Sequence, residues 1–171
     1  KNAEGMITGA CSQAHEDGLD FSPYDWDDDG FVEMVYVVYA GEGEATGGGA
    51  ETIWPHKSQL PTKPRYGNKR VFIYACSNEV NGGNKLAGIG TICHEFSHCM
   101  GYPDVYDIEY GGNYGMGTWD LMCSGSYNGD TYCPAGYTAY EKMVAGWINP
   151  IELTENASYS DIKTIADGGD A

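Results

Sequence analysis

The stretch HEFSHCMGYPD, running from His94 to Asp104, constrains this chain more than any other part of it. His94 and His98 stand four residues apart, so a helix places both imidazoles on one face. Glu95 lies beside the first of them. Zinc takes imidazole nitrogen, and a catalytic zinc uses three protein ligands and one open position for water. A carboxylate next to that position takes a proton from the water and later delivers it to a leaving amine, while the metal polarises the substrate carbonyl. H-E-x-x-H on a helix supplies two ligands and the base, Glu95. Gly101 can take a positive φ and end the helix. Reversal through Tyr102 and Pro103 then returns Asp104 to the metal as a third ligand. The competing reading of Asp104 is an exposed or helix-capping acid.

The rest of the sequence is compatible with one folded domain around that helix. Its 171 residues are enough for a hydrophobic core, with 42% hydrophobic residues, 14 Tyr and 4 Trp. The formal net charge of −16 argues against a nucleic-acid partner, which needs a basic face, and against an anionic membrane surface. No apolar run approaches the ~20 residues of a membrane span. The six cysteines form no C-x-x-C pair. They read as buried thiols or as up to three disulfides, the latter inclining the reading toward an exported protein. The first residue is Lys1, which suits a processed or excised piece.

Hydrophobic periodicity gives a mixed order of elements. A helix is expected over 1–17, ending by Gly18, then an acidic turn from Asp20 to Gly30. VEMVYVVY predicts a nearly continuous buried strand over Val32–Tyr39. A glycine-rich loop, 41–51, leads to a short strand over TIWP, and 58–69 reads as loop. KRVFIYAC, 69–76, predicts a second strand, and NEVNGGNK another loop. From Leu86 the period changes: apolar residues at 86, 89, 93, 96 and 100 define one helical face, with His94 and His98 at its edge. Residues 102–136 show little periodicity, and long irregular segments in compact domains are usually functional. A helix over 138–147 and a short strand near Ile151–Leu153 complete the pattern.

DWDDDGFVE sets Asp25, Asp27 and Asp29 at alternate positions before Gly30. This resembles the first half of an EF-hand-type loop, with the Phe31 carbonyl as the next ligand. The twelfth position is Tyr36, so the loop is not a complete EF-hand, and Glu33 is the substitute carboxylate. Mutual repulsion among these acids is relieved by a cation, and calcium is the expected one. The alternative is a solvated acidic turn. Asp107 reads as solvated or as orienting a zinc ligand. His15 reads as a surface residue, and His56 as part of a cleft wall or a structural group.

The motif HEFSHCMGYPD resembles the extended zinc motif of the metzincin peptidases, with Asp104 replacing the usual third histidine. More narrowly, DFSPYDWDDDGFVEMVYVVYAG, IWPH, HEFSHCMGYPDVYD, WDLMCSG and AYEKMVAGWINP resemble, in that order, segments of the immune inhibitor A family of secreted bacterial metallopeptidases. The resemblance covers most of residues 20–150. It implies an α+β fold: a mixed β-sheet, an active-site helix and a methionine turn at WDLMCSGS that places Met122 beneath the zinc. It further implies a zinc endopeptidase acting on extracellular proteins, with Glu95 as general base; the calcium of the acidic turn is then structural, and a monomer is expected. Tyr127 is the candidate for steadying an oxyanion, at an offset that differs from the usual one, the alternative being a packing or rim role. Residues 1–171 then form a single catalytic domain that lacks some N-terminal strand structure of the family. The rival readings are a zinc amidase acting on a non-protein amide such as a cell-wall peptide, and a silent binding module stapled by metal.

Overall fold

The computed structural model describes residues 1–109, 111–152, 154, 156 and 158. The first helix, α1 (Ala3–Glu16), is capped by the Asn2 side chain, which accepts the Gly5 N–H at 2.9 Å. It buries Ile7 and Cys11. The strands that follow are β1 (Phe31–Val32), β2 (Val35–Glu42), β3 (His56–Gln59), β4 (Arg65–Tyr66), β5 (Lys69–Val71), β6 (Ile73–Asn81) and β7 (Lys85–Leu86). Among the described residues two further α-helices follow, α2 (Ile89–Cys99) and α3 (Ala139–Val144), with short 3₁₀ turns between elements.

The strands make two mixed sheets. In the smaller, β1 runs parallel to β5 and β4 antiparallel to it. In the larger, β6 is central: β2 lies parallel along one side, from Val35 opposite Tyr74 to Tyr39 opposite Asn78. β3 pairs antiparallel with the start of β6, and β7 with its end. The main core gathers Ile7, Cys11, Phe21, Leu60, Val71 and Tyr74 between α1 and the sheets. A second cluster, Tyr102, Leu121 and Met122, lies under the irregular segment. α2 packs on β6 and β3 from one side and on the short 3₁₀ turn Ser124–Tyr127 from the other.

Several expected boundaries shift, each for a local reason. The strand expected over Val32–Tyr39 divides between the two sheets at Glu33, whose N–H goes to the Tyr24 carbonyl at 3.0 Å. β2 is also only part-buried, with Val38 exposed. The strand expected over 69–76 breaks at Phe72, whose carbonyl accepts the Leu60 N–H at 2.7 Å. TIWP is not a strand: pairing begins at His56, after Pro55, which has no N–H to give. Part of the expected loop after Cys76 is strand instead. β6 continues to Asn81, its polar end tied by the Asn78 amide to Val80 O and Asn81 Oδ1. Ile151 and Glu152 have no regular structure, and Leu153 lies outside the described residues.

The largest correction concerns α2. The apolar positions 86, 89, 96 and 100, expected to face the core, are exposed, and Leu86 belongs to β7. The residues α2 buries are Gly90, Glu95 and Ser97. Ser97 Oγ donates to the Cys93 carbonyl at 2.6 Å and meets the Tyr137 hydroxyl at 2.5 Å. The helix therefore turns its polar face inward, where partners exist for it. All six cysteines are free thiols, so the disulfide alternative is not realised. No described helix is long and apolar enough to cross a membrane.

Candidate active site

α2 ends as its sequence requires. Gly101 takes φ +98°, its N–H bonds to His98 O at 3.1 Å, and the Tyr102 N–H bonds to Ser97 O at 3.1 Å. This paired closure is the Schellman arrangement, which needs a left-handed residue that glycine adopts without strain. The chain reverses there and brings Asp104 back over the helix. Asp104 Oδ1 lies 3.1 Å from His94 Nε2 and 3.2 Å from His98 Nε2.

The other nitrogen of each ring is fixed from below. His94 Nδ1 donates to the Leu121 carbonyl at 2.9 Å, and His98 Nδ1 to the Tyr102 carbonyl at 2.7 Å. Both acceptors belong to the second core cluster, which also holds the fully buried Met122. With its proton on Nδ1, each neutral imidazole turns a lone pair toward Asp104 Oδ1, a buried oxygen with no hydrogen-bond donor. Three acceptors facing one point demand a cation or an extra proton. The same demand appears in the titration of these groups. Burial works against charge on His94, but Asp104 and the Leu121 carbonyl outweigh it and raise its pKa. Asp104 raises that of His98 against the opposing effect of burial. Burial alone would raise the Asp104 pKa, yet the two histidines hold it well below the usual carboxylate range.

His94, His98 and Asp104 thus form a group able to hold a metal ion, and two imidazoles with a carboxylate are a donor set that zinc accepts. Glu95 is buried on the same helix and lines the same cleft of ≈ 550 Å³. Burial raises its pKa, with Asp104 adding to the shift and both histidines opposing it. Glu141, a buried carboxylate further along the chain on α3, is not at this centre. It closes a capping box at the start of α3, where Thr138 N–H and Oγ1 donate to its Oε2 at 2.7 and 2.8 Å.

Residues 16–148 match the family described as "Immune inhibitor A peptidase M6, catalytic domain". The chain belongs to the immune inhibitor A peptidase family. Immune inhibitor A of Bacillus thuringiensis subsp. alesti is 24% identical over 188 residues, covering 90% of this chain and 27% of that protein. Pre-pro-metalloprotease PrtV of Vibrio cholerae serotype O1 is 28% identical over 193 residues, covering 91% of this chain and 20% of that protein. The chain spans about a fifth to a quarter of the length of these curated relatives. The second of these is named a metalloprotease, which agrees with a metal centre built from a peptidase motif.

Other residues of this immune inhibitor A domain fall into place around the centre. Tyr127 lines the cleft, its pKa raised by burial and then by Glu95 and Asp104, so its phenol remains a donor near neutrality. Asp107 also lines the cleft but makes no bond to a histidine. It accepts the N–H groups of Glu109 and Asn113, both at 3.1 Å, and so ties its own loop. Cys93 and Cys99 stand outside the metal-binding group. Trp54, Thr91, Asn113 and Tyr114 also line the cleft, and sequence patterns assign none of them a role of its own: Trp54 lies within the IWPH segment, Thr91 is one polar residue on α2, and isolated residues on loops such as Asn113 and Tyr114 carry no periodic signal.

The acidic turn is ordered but already partly neutralised. Carboxylate oxygens of Asp25, Asp27 and Asp29 lie within 4.8 Å of one another. Asp25 accepts the Gly30 N–H at 2.9 Å and the Lys69 ammonium at 2.6 Å. Asp29 Oδ1 accepts the Phe31 N–H at 2.8 Å, and Phe31 itself pairs with β5. Glu33 stands outside the group of three: its Oε1 accepts the Trp26 N–H at 2.8 Å.

Proposed function

We propose that this domain is the catalytic part of a zinc-dependent endopeptidase of metzincin-like design that acts on proteins outside the bacterial cell. The observation that carries the reading is the convergence of His94 Nε2, His98 Nε2 and Asp104 Oδ1 beside Glu95. Zinc held by these three residues supplies Lewis acidity, which activates water and polarises a carbonyl. Glu95 accepts the proton of the attacking water and returns it to the leaving amine, a role suited to a carboxylate whose pKa burial has raised. Tyr127 donates toward the oxyanion from the cleft wall. Met122, buried beside the two carbonyls that hold the histidines, is the methionine of the turn beneath the metal. An extended peptide substrate pairs with β3, an edge strand of the larger sheet whose residues border the cleft. Asp25, Asp27 and Asp29 hold structural calcium, helped by the Phe31 carbonyl and Glu33 once Lys69 gives way. The location follows the names of the relatives, since "pre-pro" denotes a precursor. The protein acts as a monomer.

The test is metal content by mass spectrometry together with casein cleavage, with and without a chelator. Asp104→Ala should lose zinc and activity, whereas Glu141→Ala should keep both. Wild-type zinc affinity in Asp104→Ala, paired with loss in Glu141→Ala, rejects the assignment. For the acidic turn, calcium should raise the melting temperature of calcium-free protein by mass action, and Asp27→Ala with Asp29→Ala should remove the response. Indifference of the wild type rejects that site.

A further inference from the structure

Trp54 is 53% exposed and lines the cleft, yet the backbone on either side of its ring is tied down. The carbonyl before it, Ile53 O, accepts the Tyr39 hydroxyl at 2.5 Å and the Glu44 N–H at 3.2 Å. The Ile53 side chain packs on the main core. The carbonyl of Trp54 itself accepts Nδ1–H of His56 at 2.6 Å. His56 is in turn fixed at Nε2 by the hydroxyl of the fully buried Tyr74, at 2.9 Å. The next residue is the buried Pro55, whose ring restricts Trp54 to extended backbone. Two successive carbonyls and a proline thus immobilise a residue whose own ring stays in solvent.

An exposed indole adds little to the stability of the domain, because most of its apolar surface is not removed from water. Holding it rigid does lower the entropic cost of binding something against it. The ring stands as a ridge between the cleft that holds His94, Glu95 and His98 and a second hollow bordered by the N-terminal residues. Two chemistries suit an indole face: a bulky apolar side chain, or a cation. Lys57, on the same rim, disfavours a cation there, while two carboxylates of the cleft are engaged elsewhere, Asp104 by the two histidines and Asp107 by the N–H groups of its own loop.

We propose that Trp54 is the specificity-determining wall of the cleft, selecting a bulky apolar side chain of the substrate beside the bond attacked, and that His56 is the positioning residue that holds it. The proposal rests on the peptidase reading and deepens it. It is tested with peptides identical except for leucine, alanine or lysine at one position near the cleaved bond, scanned across the positions on both sides. At one position the wild type should favour leucine over alanine by about tenfold or more in kcat/KM. Trp54→Ala should bring that ratio to within about twofold, the larger loss falling on the leucine peptide, and Trp54→Phe should restore most of it. His56→Ala should lower the ratio in the same direction, with Tyr74 and the metal ligands intact. An equal loss for every peptide in Trp54→Ala, or a preference for lysine, overturns the proposal. A second arm uses zinc-loaded Glu95→Gln protein and measures affinity for the same peptides. If the wild type cleaves nothing, the peptidase reading fails, and this arm still decides the wall: unchanged leucine-over-alanine selectivity in Glu95→Gln/Trp54→Ala overturns it, and loss of selectivity supports it.

Discussion

Gly90 sits where α2 meets the turn that lines the cleft, and the structure leaves no room there for a methyl group. A Cβ on Gly90 would lie 1.9 Å from Ser126 O, 3.0 Å from Ser126 C and 3.1 Å from Thr131 O. Ordinary contact needs about 3.5 Å, so the helix or the turn must move by more than about 1 Å. The Thr131 carbonyl resists such movement, because it already accepts the Gly90 N–H at 2.8 Å. Overpacking costs about 1–3 kcal/mol, and a 1.9 Å approach to a backbone oxygen puts this case at the upper end, about 2–3 kcal/mol. Alanine's better helix propensity offsets up to about 1 kcal/mol of it. The net expectation for Gly90→Ala is a fall in melting temperature of roughly 2–8 °C for a chain of this length. Gly9, within α1, provides the control: a Cβ there meets nothing within 4 Å. Gly9→Ala should therefore stabilise the domain by up to about 1 kcal/mol through propensity alone. Thermal melts of both variants, followed by circular dichroism, decide the matter. A Gly90→Ala protein that melts at or above the wild type would refute the packing argument. Since Ser126 and Tyr127 line the cleft beside Glu95, the same variant should also lose zinc affinity, read by titration into metal-free protein.

Three further outcomes follow from other parts of the molecule. Glu95→Gln should retain zinc and lose nearly all hydrolysis, and the acid limb of the wild-type profile should lie above the ordinary glutamate value of about 4.3, because burial raises this carboxyl; near-normal turnover in the metal-loaded variant would reject Glu95 as the base. The Lys69 ammonium lowers the pKa of Asp25, so the stability it lends is present above the unfolded value of about 3.9 and is lost as pH falls through the folded one. Asp25→Asn should therefore destabilise at pH 7 and converge on the wild type in acid, as measured by urea melts at both pH values in chelator. Burial pushes the thiols of Cys11, Cys76 and Cys99 up to about 11, while Cys133 is exposed. Iodoacetamide at pH 8 should label Cys133 well before those three in a peptide-mapped time course, and rapid labelling of Cys11 would contradict the packing of the main core.

The site was legible in the sequence where its logic is local. The spacing of His94 and His98, the stop at Gly101 and the return at Asp104 are properties of one helix and one turn, and the structure brings all three side chains together. α1 and α3 were legible through their apolar positions and through Gly18 and Gly146, both at positive φ in the structure. Strand ends were not, because they depend on distant partners: the break at Phe72 needs Leu60, and that at Glu33 needs Tyr24. The role proposed for Trp54 could not be read from the IWPH segment for the same reason, since it rests on bonds from Tyr39 and His56 to the backbone around it.

α2 shows how a functional face can overrule hydrophobic periodicity. Its apolar stripe was the strongest helical signal in the chain, and the rule that such a stripe faces the core normally holds. Here the opposite face carries His94, Glu95, Ser97 and His98. Each histidine needs a carbonyl to fix its tautomer, and those carbonyls, Leu121 and Tyr102, exist only in the interior. Ser97, besides bonding back to the Cys93 carbonyl of its own helix, finds the Tyr137 hydroxyl inside. Turning the helix by half a rotation would bury Ile89, Phe96 and Met100, each worth about 1.5–3 kcal/mol when fully covered. It would also remove the histidines from the carbonyls that orient them and from Asp104. Net stability is small beside such terms, so a helix arranged this way needs compensation elsewhere. The large sheet and the Tyr102–Leu121–Met122 cluster provide it, holding α2 from both sides. The outward Phe96 and Met100 are thus the counterpart of an inward face that carries His94, Glu95 and His98, and a sequence scanned for apolar stripes alone assigns this helix the wrong side.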